Sequence, residues 1–364
     1  MTNHYPLKTN LRVLQLIDSL EAGGAERMAV NLANALVEKV EFSGIVTTRN
    51  EGILKTQINE KVEYLYCTKK SSLDLNAISS TLRFIKTHDV NVLHAHGSSY
   101  FFAFLLKMFL PKLKLIWHDH HGNRPKEETS MNTKVLKVIS LFFSHIFCVS
   151  EHLVNWSKKT LDNSSVSLIH NFTTGKDSDF HKQTELDFPF ILCVANLRWQ
   201  KNHFNLIEAY ALLQDKSMKL LLVGKDENDE YAQQLKNKIK ELNLEQDVYM
   251  LGQRSDVDSI IANSSICVLS SDVEALPMVL IEYANHRKPV VVTDVGQCAS
   301  VVGEFGQVVK PNNPKALSEA ISFYIKNKDI AQSHARALQA KIKKEFDSEV
   351  IINEIIGIYK AVLK

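Results

Sequence analysis

Short apolar runs alternate with amphipathic stretches along almost the whole chain, and this alternation restricts the fold more than any single motif. A short apolar run bounded by turn residues reads as a strand buried on both faces. Residues 12–18, 43–48, 62–66, 90–94, 113–118, 145–149 and 166–169 are such runs. Between them come helical spacings: Met28, Leu32 and Leu36, then Ile78, Leu82 and Ile85, then 99–107, and a largely apolar stretch over about 133–144. From residue 190 the layout repeats. Strands are expected at 190–195, 219–223, 248–251, 266–269, 290–293 and 307–310, with helices at 203–213, 228–242, 257–262 and from Pro277. Strands and helices alternating in this way build a parallel sheet with helices on both faces. The pattern therefore predicts two doubly wound, Rossmann-like α/β domains with a cleft between them.

Hydrophobicity drops and charge rises over 173–187, without a clear period, which reads as an interdomain linker. The expected domains are 1–175 and 188–345. The chain ends in helices at 314–325, 330–344 and 350–363, the last being residues 346–364 of a separate terminal element. A length of 364 residues suits two domains of ordinary size. A net charge of +2 gives no general attraction to nucleic acid. Five scattered cysteines without a CxxC pair suggest buried thiols in a reducing compartment. The polar N-terminus and the lack of an apolar run of about 18 residues lead to the expectation of a cytoplasmic protein.

In an open parallel sheet, ligands bind at the carboxyl ends of the strands, so the residues there carry the chemistry. Gly23 and Gly24 follow the first strand, where backbone can approach a ligand closely and a helix start favours an anion. The same pair also suits a merely tight turn, and the GxGxxG pattern of dinucleotide folds is missing. His94, His96, His118, His120 and His121 crowd two strand ends beside Asp119. They lack the HxHxDH or HExxH spacing of zinc hydrolases, so no metal is expected. His118, with Gly122 behind it, is the candidate for contacting a sugar. Arg198 and Lys201 follow the first strand of the second half and would hold a diphosphate without metal. Glu274 lies in a loop after a strand, and Glu282 in the helix which that loop begins. One can stabilise charge at an anomeric carbon and the other can grip a vicinal diol, although a solvated acidic loop also fits. Residues 100–116 mix large apolar side chains with Lys107, Lys112 and Lys114. That mixture suits a membrane-surface patch, and equally a core helix joined to a strand.

These residues together resemble the retaining glycosyltransferases of family 4, which have the GT-B fold. The resemblance rests on Gly23 to Arg27, on His94, Ala95, His96 and Gly97, and on Val149 to His152. It also rests on His170 with Asn171, on Asn196 to His203, and on the Glu274 and Glu282 pair around Pro277. It implies transfer of a sugar from a nucleotide-sugar donor, with retained configuration and no metal or other cofactor. The donor would lie on the second domain. The acceptor, a saccharide or a lipid-linked one, would lie on the first, with possible peripheral membrane contact there. By the same resemblance Glu274 faces the donor sugar, Glu282 grips the ribose, Arg198 and Lys201 bind the diphosphate, and His118 touches the sugar. Gly23, Gly24, Gly224 and Leu276 complete the implied donor site, and the final helix packs back on the first domain. Two positions depart from the family pattern: Asn196 stands where an arginine is usual, and Ala275 where glycine is usual. Other readings of such a chain are a GT-B sugar-nucleotide epimerase or hydrolase, and a non-catalytic sugar-nucleotide-binding protein.

Overall fold

The computed structural model describes residues 9–121, 124, 131–172, 186–274 and 276–364. It divides into two compact units, Met1–Thr174 with Ser348–Lys364, and Gly175–Asp347. Most of the stretch read as a linker, 173–185, lies outside the described residues.

Unit 1 opens with β1 (Thr9–Ser19), α1 (Gly24–Leu36), β2 (Val40–Asn50), β3 (Glu63–Tyr66) and α2 (Leu75–Thr87). It continues with β4 (Val92–His96), α3 (Tyr100–Phe109), β5 (Lys114–Asp119) and α4 (Met131–Ser140). Then come β6 (His145–Cys148), α5 (Glu151–Thr160) and β7 (Val166–Leu168). All seven strands run parallel, in the order β3-β2-β1-β4-β5-β6-β7. Both faces of this sheet are covered, so β4 is buried at every position, as its apolar run implies. Ser150 caps α5 by accepting from the Leu153 N–H, the role its position before that helix predicts.

Unit 2 contains β8 (Phe190–Val194), α6 (His203–Ala211), β9 (Lys219–Val223), α7 (Glu230–Glu241) and β10 (Val248–Gly252). It goes on through α8 (Val257–Asn263), β11 (Ile266–Leu269), α9 (Met278–Asn285) and β12 (Val290–Thr293). It closes with α10 (Cys298–Val302), β13 (Gln307–Val309), α11 (Pro314–Lys326) and α12 (Lys328–Glu345). Its parallel strands lie in the order β10-β9-β8-β11-β12-β13. The five-residue α10 has no counterpart in the predicted elements, since it is too short to show a helical period. Pro277 is the extended residue before α9 rather than its first helical one.

The last helix, α13 (Ser348–Leu363), belongs to unit 1. Its Ile351, Ile352, Ile355, Ile356 and Tyr359 enter one core with Leu11 and Val13 of β1 and Met28, Leu32 and Leu36 of α1. All five cysteines are free and buried.

Candidate active site

In both sheets the strand order reverses beside the first strand: between β1 and β4 in unit 1, and between β8 and β11 in unit 2. Loops leaving neighbouring strands there diverge to opposite faces, opening a crevice at the carboxyl edge. In unit 2, Lys201 follows β8 and Glu274 follows β11, so the two flank this point.

Local packing fixes the first of these loops. Gly224, just beyond β9, lies so close to the Ala195 backbone that an added Cβ would stand 2.0 Å from its carbonyl oxygen. Only glycine permits that approach. The Leu197 N–H donates to the Lys225 carbonyl at 3.0 Å, and the Lys225 N–H donates to Asn196 Oδ1 at 3.0 Å. Asn196, where the family pattern has an arginine, therefore braces the loop. Arg198 opens a single turn over Trp199–Lys201 and is exposed. Asn202 ends this turn in the left-handed region, at φ +42°, which asparagine tolerates better than most residues. Its side chain caps α6 by accepting from Asn205 N–H and donates to Asp272 at 2.9 and 3.1 Å.

The second loop is tied to the first. Ser270 Oγ donates to the carbonyls of Lys201 and Asn202, both at 3.1 Å. The Asp272 N–H donates to the Gln200 carbonyl at 2.8 Å. Thr293, at the end of β12, donates from Oγ1 to the Ser271 carbonyl at 2.5 Å. Glu274 Oε1 then accepts from Ser271 Oγ and from Lys201 Nζ, each at 2.6 Å. The Glu274 side chain is 8% exposed and that of Lys201 27%. A carboxylate this buried needs its cation, and the cation remains accessible from one side. Ala275 lies outside the described residues. Leu276 packs into the core with Met278 and Ile281. Glu282 is 7% exposed within α9, the helix whose start lies beyond Glu274.

Unit 1 builds a different edge. Gly23 is the extended residue before α1, and Gly24 is the first residue of that helix. Asp18, near the end of β1, accepts hydrogen bonds from Thr48 Oγ1, from Ser98 Oγ at 2.7 Å and from Lys69 Nζ at 3.1 Å. Burial pushes its pKa up, but these partners outweigh burial and hold the carboxyl below the usual range. His94 and His96 on β4 and His118 on β5 share one face of the sheet, as alternation along parallel strands in this register requires. With His120 they form a stack, with ring centroids 4.5 Å apart for His94 and His96 and 4.0 Å for His118 and His120. Tyr359 Oη of α13 lies 2.6 Å from His94 Nδ1, and Gln15 Oε1 2.9 Å from His96 Nε2.

The structure places His118, expected to touch the donor sugar, within the core of unit 1. It is 0% exposed, inside the imidazole stack, because its place on the strand turns it to the covered face of the sheet. The imidazole that reaches the surface at this strand end is His121, whose Nδ1 lies 2.8 Å from Asp119 Oδ1. Arg124 Nε also pairs with Asp119 at 2.8 Å. Gly122 lies outside the described residues. Ring nitrogens of His94, His96 and His118 come within 4.8 Å of one another, close enough to consider a cation. Both nitrogens of His96 are engaged, with Gln15 and His120, which leaves a full set of three only by breaking those bonds. The residues that sequence reasoning missed are Asp18, Lys69 and Ser98 in unit 1, and Ser270, Ser271, Asn202 and Asp272 in unit 2. Apart from Asp18, which lies within β1, their position in loops after strands was the available signal.

Two family models cover most of the chain: glycosyltransferase family 4 over residues 22–173 and glycosyl transferases group 1 over 176–344. The chain belongs to the family 4 glycosyltransferases. This glycosyltransferase is 26% identical over 341 residues to the amylovoran biosynthesis glycosyltransferase AmsD of Erwinia amylovora, covering 90% of this chain and 93% of the relative. A Campylobacter jejuni enzyme is 24% identical, with 93% and 97% covered; its name is N-acetylgalactosamine-N,N'-diacetylbacillosaminyl-diphospho-undecaprenol 4-alpha-N-acetylgalactosaminyltransferase. The structure of Anabaena HepE with UDP-glucose superposes with a TM-score of 0.82 at 21% identity, covering 96% of this chain and 100% of that one. The glycosyltransferase thus has the GT-B fold.

Proposed function

We propose that this glycosyltransferase moves a sugar from a nucleotide-sugar to a saccharide on a lipid diphosphate carrier, with retention and without a metal. The observation that carries the reading is the Lys201–Glu274 pair, 2.6 Å apart at the switch point of unit 2. It is supported by UDP-glucose in the HepE structure and by the diphospho-undecaprenol acceptor in the name of the Campylobacter relative.

In this reading the donor diphosphate meets Lys201 from its accessible side and Arg198 from the exposed turn, with the free N–H groups of α9 adding positive potential. As the anomeric bond breaks, negative charge grows on the leaving diphosphate, where these cations act most strongly. Glu274 faces the positive charge that develops on the sugar. Its bonds to Ser271 and Lys201 hold it in place, so no reorganisation is needed at the moment of reaction. Glu282 takes the ribose hydroxyls. The acceptor attacks from the face the diphosphate leaves, and a diphosphate oxygen takes its proton. Gly224 serves by holding the Arg198 loop against the sheet, and Leu276 by fixing the Glu274 loop to the core.

The test is a melting screen against UDP-, GDP- and ADP-sugars in the presence of EDTA, followed by NMR of the anomeric configuration of any product. One sugar nucleotide is expected to stabilise the protein, by about 2.7 kcal/mol at a hundred times its Kd, and the product to retain the donor configuration. No stabilisation by any donor, transfer abolished by EDTA, or an inverted product each overturns the reading.

A further inference from the structure

The loops after β8, β11 and β13 leave the same edge of the unit 2 sheet, because these strands all run parallel. One side chain joins all three. Asn202, after β8, donates from Nδ2 to both carboxylate oxygens of Asp272, after β11, at 2.9 and 3.1 Å. The same nitrogen donates to Asn312 Oδ1, after β13, at 2.7 Å. The other end of the amide, Oδ1, accepts from the Asn205 N–H at 3.1 Å and caps α6. Both amide hydrogens and the oxygen are thus engaged, which fixes the orientation of the group.

Asparagine meets three demands here that other residues meet singly. Its backbone takes φ +42°, where glycine is at ease but brings no side chain. Its oxygen caps a helix, as serine or aspartate could. Its nitrogen faces a carboxylate, where an aspartate would set two negative charges together.

The residues joined in this way adjoin the two groups to which the chemistry is assigned above. Asn202 follows Lys201 directly, and Asp272 stands two residues before Glu274. Lys201 Nζ meets Glu274 Oε1 at 2.6 Å. A shift of about 1 Å between the two loops would stretch that contact beyond hydrogen-bond length. We infer that the Asn202–Asp272 clasp is a positioning device for the reaction, setting Lys201 against Glu274. Neither clasp residue needs to touch substrate. The inference rests on the proposed function for the role of Lys201, and Asn312, which is exposed, adds an outer tie.

The test measures turnover, donor affinity and melting for Asn202→Gly, Asp272→Ala and the double variant, each with and without Lys201→Ala. Glycine keeps the left-handed backbone at 202. Asp272→Ala leaves the α6 cap intact, so this variant should melt with the parent. Each single variant should lower kcat roughly ten- to a hundredfold, as small misplacements of reacting groups do, with donor Kd changed less than about threefold. The double variant should be no slower than either single one, because both break the same contact. In the Lys201→Ala background, Asn202→Gly should change kcat less than about twofold, because the clasp acts through that lysine. A purely structural loss would be equal in both backgrounds. Normal kcat for Asp272→Ala beside an impaired Lys201→Ala overturns the inference. So does an undiminished effect of Asn202→Gly in the absence of Lys201. A Lys201→Ala enzyme with normal kcat would overturn the proposed function instead.

Discussion

At the switch point of unit 2, two loops present a half-accessible lysine on a carboxylate, while at the corresponding place in unit 1 the sheet encloses a stack of uncharged imidazoles. Both edges follow from one strand order, so topology chose the location and side chains chose the chemistry. In unit 2 the charges lie in loops beyond the strands, where Ser270, Ser271 and Asn202 can reach them with hydrogen bonds. In unit 1 the polar residues begin within β4 and β5 themselves, under the cover of α13. One edge is built to meet a charged ligand, and the other uses its polar groups inside the core, leaving Asp18 and its partners at the rim.

The largest expected effect comes from acid. Burial, then the nearness of other imidazoles, holds His94, His96 and His118 well below the ordinary value of 6.5, and burial brings His120 to about 4. These groups stay neutral when folded, while the unfolded chain takes up protons below 6.5. Unit 1 should therefore lose stability as pH falls from 6.5 towards 4, by up to ~1.4 kcal/mol per pH unit for each neutral imidazole. In unit 2, among the described residues, only His203 is lowered in this way, to about 4. Amide exchange at pH 5 should thus open β4 and β5 before β8 and β11. Equal opening in both units would break the contrast.

The next effect falls on turnover. Lys201→Ala should lower kcat by roughly 10²–10³, as removal of one anion-stabilising donor does elsewhere, while His118→Gln should act through stability alone. A Lys201→Ala enzyme with normal kcat would remove the reason to place chemistry on the unit 2 edge. The smallest effect sharpens the unit 1 side. Tyr359→Phe removes the hydroxyl 2.6 Å from His94 Nδ1 and leaves a buried ring nitrogen unpaired, at roughly 1–3 kcal/mol. The urea midpoint of unit 1 should fall, with no change in donor binding.

The fold was legible because parallel strands covered on both faces must be apolar throughout, and runs such as Ile266–Leu269 are. Their ends were less so: β1 begins at Thr9, ahead of the apolar run, because pairing with β2 continues through polar residues. Lys201 and Glu274 stand out in the sequence because each lies in the loop that leaves a strand. Their mutual bracing does not, since Asn202 meets Asp272 across 70 residues, and no local pattern encodes that meeting. The burial of His118 was hidden for a related reason. Alternation places it with His94 and His96, but which face of the sheet is sealed depends on Tyr359, 265 residues beyond His94. The Asn196 departure became intelligible only once the Lys225 N–H was found on its side chain.

That α13 completes the first unit has a consequence for synthesis. Residues 348–364 are translated after every residue of unit 2, so the earlier-made sheet emerges from the ribosome with one flank bare. Unit 2, continuous in the chain, can finish before it. The half made first is thus the half that matures last, and its apolar flank over β1 and α1 must be shielded from other nascent chains in the interval.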